Sequence, residues 1–258
     1  MNRRVSLFGC QIDVVELREA VDRLLSWATQ SDGRCRYVVT PNVNHVVLLE
    51  RHERFRAAYA EAGMVLADGM PLVAASRLLR RPLPERVAGS DLVPALLDAA
   101  NSRGGATVFL LGALPGVGER AAKNIEKRWP AVRVVGTYSP PLGFEKMPEE
   151  NTKILRMLDE CKPQILVVGL GAPKQELWTH EHHRHIPGCV ALCAGATIDF
   201  LAGEKPRAPR WMRSAGLEWL HRVASEPRRL AKRYLHDAVL FPRLVLRELR
   251  ASKTRACG

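Results

Sequence analysis

Six short, almost wholly apolar runs punctuate the chain: residues 37–40 (YVVT), 64–67 (MVLA), 107–111 (TVFLL), 132–135 (VRVV), 165–169 (ILVVG) and 189–193 (CVALC). Runs of this length, rich in β-branched residues, read as strands. Their lack of polar alternation marks strands covered on both faces. Between them the apolar spacing becomes helical. Over residues 14–27, Val14, Leu17, Val21, Leu24 and Leu25 recur with a helical period. Asp91 is placed to cap a helix through Ala100, and residues 118–129 and 152–161 follow. Pro173 falls in the first turn of another helix, where a missing N–H costs nothing. This alternation predicts an α/β fold, Rossmann-like, with a largely parallel sheet and helices on both faces. No internal repeat interrupts it.

The pattern changes near residue 203. Residues 205–213 (KPRAPRWMR) are basic and broken by proline. Three helical stretches follow, 217–225, 228–241 and 243–251, divided by Pro227 and Pro242. In the second, Leu230, Tyr234, Ala238 and Phe241 form one stripe, with Arg228, Arg229, Lys232 and Arg233 clustered at its start. In the third, Arg243, Arg247 and Arg250 lie opposite Leu246 and Leu249. Two readings stay open: surface helices docked on the body with their charges in water, or amphipathic helices lying on an anionic surface. The chain divides accordingly into an α/β body, residues 1–203, and a basic amphipathic appendage, residues 204–258.

Charge sharpens the division. Residues 205–258 hold 14 Lys+Arg against 4 Asp+Glu, which is ten of the chain's net +12. Positive charge confined to one end implies a polyanionic partner for that end, nucleic acid or an anionic bilayer. The 47% hydrophobic and 26% charged content suits a folded chain rather than a disordered one. No signal peptide is visible, and no run approaches the roughly 18 apolar residues of a membrane span. If a membrane is involved, the protein lies on it. The six cysteines, Cys10, Cys35, Cys161, Cys189, Cys193 and Cys257, form no CxxC pair and read as buried thiols of a reducing compartment. His180, His182, His183 and His185 near Cys189 and Cys193 match no zinc spacing, so no metal site is expected.

Three turns follow strands at the sheet edge where α/β proteins bind ligands. Leu111-Gly-Ala-Leu-Pro-Gly-Val-Gly118 and Val168-Gly-Leu-Gly-Ala-Pro-Lys-Gln-Glu176 carry glycines that let a backbone approach a phosphate, each before a helix N-terminus. Together they point to a nucleotide or sugar nucleotide, and each is also compatible with an ordinary tight turn. The third is Ala67-Asp-Gly-Met-Pro71. Asp68 directly after an apolar strand is either the cap of a helix from Met70 or a general base in a cleft. Thr40-Pro-Asn-Val-Asn44 ends the preceding strand in the same way. Adjacent parallel strands would bring Thr40, Asn42 and Asp68 to one edge. Arg86 would add a cation there, or lie in a solvated loop.

Absences narrow the field. Without GxxxxGK[ST] a P-loop kinase or ATPase is disfavoured. Without Tyr-x-x-x-Lys a nicotinamide-dependent sugar oxidoreductase lacks its catalytic pair. Without Asp-x-Asp nothing suggests a metal clamp on a diphosphate. A nucleic-acid-binding α/β protein using the basic segment is the alternative, although no aromatic residue there is spaced for base stacking.

Taken in order, Thr40-Pro-Asn-Val-Asn44, Ala67-Asp-Gly69, Arg86-Val-Ala-Gly-Ser-Asp91, Val108-Phe-Leu-Leu-Gly112, Val168–Glu176, Arg207-Ala-Pro209, Gly216-Leu-Glu-Trp219, Arg222 and Glu226-Pro-Arg-Arg229 resemble the WecG/TagA/CpsF family of bacterial glycosyltransferases (glycosyltransferase family 26). The resemblance implies an inverting enzyme needing neither metal nor cofactor. Such an enzyme moves a sugar of the N-acetylmannosamine, uronic acid or glucose type from a UDP-sugar to a sugar on polyprenyl diphosphate. It works as a peripheral protein at the cytoplasmic face of the membrane in cell-surface polysaccharide or teichoic acid synthesis. Nucleic acid is then not expected as a partner, and self-association is left open. By position, Asp68 would be the base, Thr40 and Asn42 would hold the acceptor sugar, and Arg86 and Gln175 would bind donor or acceptor. Asn44, Gly112, Gly169, Gly171, Lys174, Glu176 and Arg207 would complete the substrate-binding surface. Arg222 and Arg229 would bring positive charge from the C-terminal segment. Lys232 stands where the family leads one to expect arginine, exchanging a bidentate fork for a point charge.

Overall fold

The computed structural model describes residues 3–30, 32–209, 211–212, 217–225 and 227–256. Gly216, Glu226, Cys257 and the side chains of Arg222 and Arg229 lie outside the described residues. Six strands form one parallel sheet: β3 (Arg36–Val39), β4 (Met64–Val65), β5 (Ala106–Gly112), β6 (Val132–Tyr138), β7 (Ile165–Gly169) and β8 (Val190–Cys193), in the order β4-β3-β8-β7-β5-β6. All six apolar runs are strands. Their side chains alternate between two cores. Tyr37, Val39, Phe109, Leu111, Leu166, Val168, Ala191 and Cys193 enter one. Val38, Val108, Leu110, Ile165, Val167, Val190 and Leu192 enter the other. A strand buried on both faces needs apolar residues at every position, which is why the runs show no alternation.

Helices α2 (Val43–Arg51), α3 (Glu53–Ala60), α4 (Met70–Leu78), α7 (Pro148–Cys161) and α8 (Lys174–His182) cover the first core. Helices α1 (Leu17–Thr29), α5 (Gly89–Ser102), α6 (Val117–Arg128) and α9 (Thr197–Ala202) cover the second. The order of crossovers decides where the sheet opens. Strands β3 and β7 send their helices, α2 and α8, to one face. Strand β8, hydrogen-bonded between them, sends α9 to the other. The chain therefore parts at the C-terminal end of β8, which is the geometry of a ligand crevice in an open α/β sheet.

Two sequence expectations change, and one element had not been foreseen. Asp91 does not cap α5: Ala88 is the N-cap residue, and the Asp91 carboxylate pairs with arginines instead. The segment before α1 is a hairpin, β1 (Arg4–Leu7) with β2 (Cys10–Asp13). Its two-residue turn, Phe8 and Gly9, has φ of 51° and 77°, the backbone a primed hairpin turn requires. Phe-Gly hides that turn, because Asn-Gly or Asp-Gly is the usual signal. The last two predicted helices are one: after α10 (Glu218–Ser225), α11 runs unbroken over Pro227–Ala256 with Pro242 inside it. Pro242 cannot donate to the carbonyl of Ala238, yet tertiary contacts keep the helix continuous.

Those contacts dock α11 on the body beside α2. Phe241, Leu244, Val245 and Leu249 pack on the first core, with the Phe241 and Phe8 ring centroids 5.4 Å apart. Arg247 Nη1 donates to Glu50 Oε2 at 2.7 Å, and Glu248 accepts from the Phe8 N–H at 3.2 Å. The opposite face of α11 exposes Leu235, Val239 and Leu246 at 70%, 49% and 53%. The five described cysteines are all unbridged thiols, four of them buried. No helix among the described residues is long and apolar enough to cross a membrane.

Candidate active site

The ladder of β4 ends at Val65, but the chain stays beside β3. The Leu66 N–H donates to Val39 O at 3.0 Å and the Asp68 N–H to Pro41 O at 2.8 Å. Asp68 is thus held level with Thr40, Pro41 and Asn42 at the C-terminal edge of the sheet. Gly69, at φ 144°, is the N-cap residue of α4, and no side chain caps that helix. The carboxylate of Asp68 lines the crevice rather than capping that helix. Arg86 Nη1 lies 3.5 Å from Asp68 Oδ1.

Arg86 is fixed, not a solvated loop residue. Its side chain is 14% exposed, Nη2 donates to Asp91 Oδ2 at 2.6 Å, and Nη1 reaches Glu218 Oε2 of α10 at 3.3 Å. Arg207 Nη2 donates to Asp91 Oδ1 at 2.8 Å and to Ser90 Oγ at 3.0 Å. Asp91 is thereby gripped from both sides, and Arg207 acts as a brace behind Arg86.

Two cavities meet at Asp68. Asn42, Asn44, Ser90, Glu218 and Arg233 line both. The larger, about 400 Å³, extends under the ends of β7 and β8 past Thr40, Gly171, Gln175 and Gly195. The smaller, about 280 Å³, extends between α4 and the C-terminal helices past Met70, Trp219, Tyr234 and Phe241.

The profile of the glycosyl transferase WecG/TagA/CpsF family matches residues 5–255. The chain belongs to this family, and it is a glycosyltransferase. Relatives from Staphylococcus aureus strains MRSA252, MW2 and NCTC 8325 are 27% identical over 229 residues, covering 89% of this chain and 87% of theirs. Each is named N-acetylglucosaminyldiphosphoundecaprenol N-acetyl-beta-D-mannosaminyltransferase.

In this glycosyltransferase the residues singled out by sequence divide by position. Asp68, Thr40, Asn42, Asn44, Arg86, Gln175 and Gly171 all line one or both cavities. Asn42 also caps α2, accepting from the His45 N–H at 3.3 Å, and Asn44 Nδ2 donates to Asp237 Oδ1 at 3.4 Å. Gln175 borders the larger cavity but has structural work to do. Its Oε1 accepts from the N–H groups of Gly171 at 3.2 Å and Gly195 at 3.1 Å, tying together the loops after β7 and β8. Its Nε2 donates to Glu176 Oε1 at 2.8 Å.

The rest sit elsewhere. Glu176 is fully buried, outside the lining of both cavities, and its Oε2 is without a hydrogen-bond partner. Burial pushes its carboxyl up to about 7, against the hydrogen bond from Gln175. Lys174 pairs with Glu145 at 3.3 Å, outside the lining of both cavities. Gly112 and Gly169 face each other across β5 and β7, and a Cβ on Gly112 would stand 2.5 Å from Gly169 O. A Cβ on Gly169 would stand 2.8 Å from Ile198 Cδ1 and 3.0 Å from Gly195 O, so close packing accounts for both glycines. Arg222 and Arg229 lie on α10 and α11, their side chains outside the described set.

Other lining residues escaped sequence reasoning. Arg233 lines both cavities, its guanidinium 5.0 Å from the Tyr234 ring centroid. His45 lines the larger one, and its Nδ1 lies 2.7 Å from Tyr59 Oη. Burial, with Arg233 nearby, holds the imidazole down to about 3, so it stays neutral at physiological pH. Glu218, Trp219 and Asp237 reach the site only because the C-terminal helices fold back on the body. For Arg233 the basic cluster at the start of α11 was a signal, and for Glu218 and Trp219 the motif that ends at Trp219; for His45 and Asp237 there was none.

Proposed function

We propose that this glycosyltransferase moves a sugar of the N-acetylmannosamine, uronic acid or glucose type from a UDP-sugar to a sugar borne on polyprenyl diphosphate, with inversion and without a metal ion. The observation that carries the reading is Asp68, a carboxylate at the C-terminal edge of the sheet where two cavities meet, with Arg86 at 3.5 Å. The names of the Staphylococcus aureus relatives supply the acceptor class and one of the sugars. In the transfer, the acceptor hydroxyl oxygen bonds to the anomeric carbon from one side. The bond from that carbon to the UDP oxygen breaks on the other, and UDP leaves with the electron pair. The hydroxyl proton passes to the Asp68 carboxylate.

The larger cavity is the donor side. The N-termini of α2 and α8 border it, and helix N-termini favour phosphate. Charge growing on the departing diphosphate would be met by Arg86 and Arg233, with Arg222 and Arg229 on the same C-terminal helices. The basic appendage, residues 204–258, would hold the enzyme on the anionic cytoplasmic face of the membrane, where the acceptor is anchored.

The test is a donor screen with the purified chain and a polyprenyl-diphosphate-linked N-acetylglucosamine. UDP should be released from one donor class, only when acceptor is present, and equally in the presence of EDTA. The product's anomeric configuration by NMR should be opposite to the donor's. Equal release without acceptor, or inactivity with every UDP-sugar, would defeat the reading.

A further inference from the structure

The smaller cavity differs from the larger in chemistry. Its walls are Met70 and Pro71 at the start of α4, Trp219 of α10, and Tyr234, Phe241 and Pro242 of α11. Ala238 lies on the same face of α11 and puts only a methyl group into the middle of that wall. Of its polar lining, Asn42, Asn44, Asp68, Ser90, Glu218 and Arg233 are shared with the larger cavity, Arg86 sits against Asp68, and the buried Asp237 accepts from Asn44. Toward solvent, Pro242 continues a stripe with Leu235, Val239 and Leu246, spaced four, three and four residues apart on one helix face. Those three leucine and valine side chains are 70%, 49% and 53% exposed.

A nucleotide sugar has little use for a hydrocarbon wall beside the catalytic carboxylate. A sugar joined through diphosphate to a polyprenol presents the same order of chemistry as the cavity: hydroxyl, charge, then branched hydrocarbon. We propose that the smaller cavity binds the isoprene units nearest the diphosphate of the acceptor, and that the exposed stripe of Leu235, Val239 and Leu246 leads the remaining chain to the bilayer. The proposal rests on the polyprenyl-diphosphate acceptor. At about 280 Å³ the cavity holds only a short length of chain, being just below the range of small-molecule sites, which starts at about 300 Å³. The enzyme would thus read the lipid as well as the sugar, and would distinguish branched unsaturated chains from straight ones.

The experiment compares acceptors that share one sugar-diphosphate head and differ in tail: methyl, geranyl, and a straight alkyl chain with geranyl's carbon number. All are used in detergent without bilayer. Geranyl should raise kcat/KM over methyl by about ten-fold, the equivalent of burying about two methylene groups, with the straight chain between them. Ala238→Phe, which fills the cavity from an exposed helix position, should bring the geranyl-to-methyl ratio toward one while thermal melting confirms the fold. Equal kcat/KM for all three tails in the unmodified enzyme overturns the cavity assignment and leaves the acceptor reading standing. So does an unchanged ratio in Ala238→Phe, including the case where the donor KM rises and gives the cavity to the nucleotide. Failure to glycosylate any of the three, with UDP-sugar still bound by calorimetry, removes the acceptor reading and the cavity proposal together.

Discussion

Asp68 owes its position to two backbone hydrogen bonds, Leu66 to Val39 and Asp68 to Pro41, that extend the line of β4 past its last ladder residue. If it is the base, Asp68→Asn should lower kcat about 10²–10⁴-fold with little change in donor KM, as measured by acceptor-dependent UDP release; turnover near normal would sink the assignment. Glu176 makes a different kind of prediction. Burial raises its carboxyl from 4.5 to about 7, so the folded chain holds the proton more tightly than the unfolded one. Stability from this residue is complete below pH 4.5 and is lost as pH rises through about 7. Glu176→Gln keeps the neutral shape and should flatten that part of the profile. Above pH 7 it should add roughly 3 kcal/mol, read from urea unfolding at a series of pH values. Sequence showed Glu176 as a charged residue at a helix start, and the family resemblance placed it on the substrate-binding surface. Tyr59 and Cys193, distant in sequence, lie close enough in space to feel its charge.

Among the elements, the strands were the most legible and the C-terminal helices the least. A strand covered on both faces writes its burial into every residue, so 165–169 and 107–111 needed no partner to be recognised. Proline misled at Pro242, because local chemistry argues for a break while Phe241, Leu244 and Val245 on either side are anchored in the core. At the glycine turns the sequence left two readings open, a phosphate cradle and a tight turn. Gly112 allows the ends of β5 and β7 to come together, and Gly169 makes room for Ile198 and the Gly195 carbonyl. Gly112→Ala, at φ 118° and with its Cβ against Gly169 O, should destabilise the fold by about 2 kcal/mol or more. Denaturant unfolding would show it as a lower midpoint at unchanged slope, and an unchanged midpoint would contradict the close approach.

For the molecule as a unit, the lopsided charge and the site are one problem. The helix that carries much of the positive charge also supplies Arg233, Tyr234 and Asp237 to the cavities, and its outer face bears the exposed apolar stripe. At about 1 kcal/mol per basic residue near an anionic surface, removing two exposed arginines in Arg228→Ala/Arg243→Ala should weaken flotation with anionic vesicles about thirty-fold. Binding to zwitterionic vesicles should hardly change. Equal loss with both lipids would argue against an electrostatic anchor. The sequence alone determined the parallel α/β class, the strands, the family and the carboxylate after the second sheet strand, because these depend on local apolar patterning and short contiguous motifs. Tertiary structure decided that α10 and α11 fold back to wall the crevice, that Arg86 is fixed by three carboxylates and that Glu176 is buried. Each of these depends on residues far apart in the chain meeting in space, and neither periodicity nor motif spacing encodes that directly.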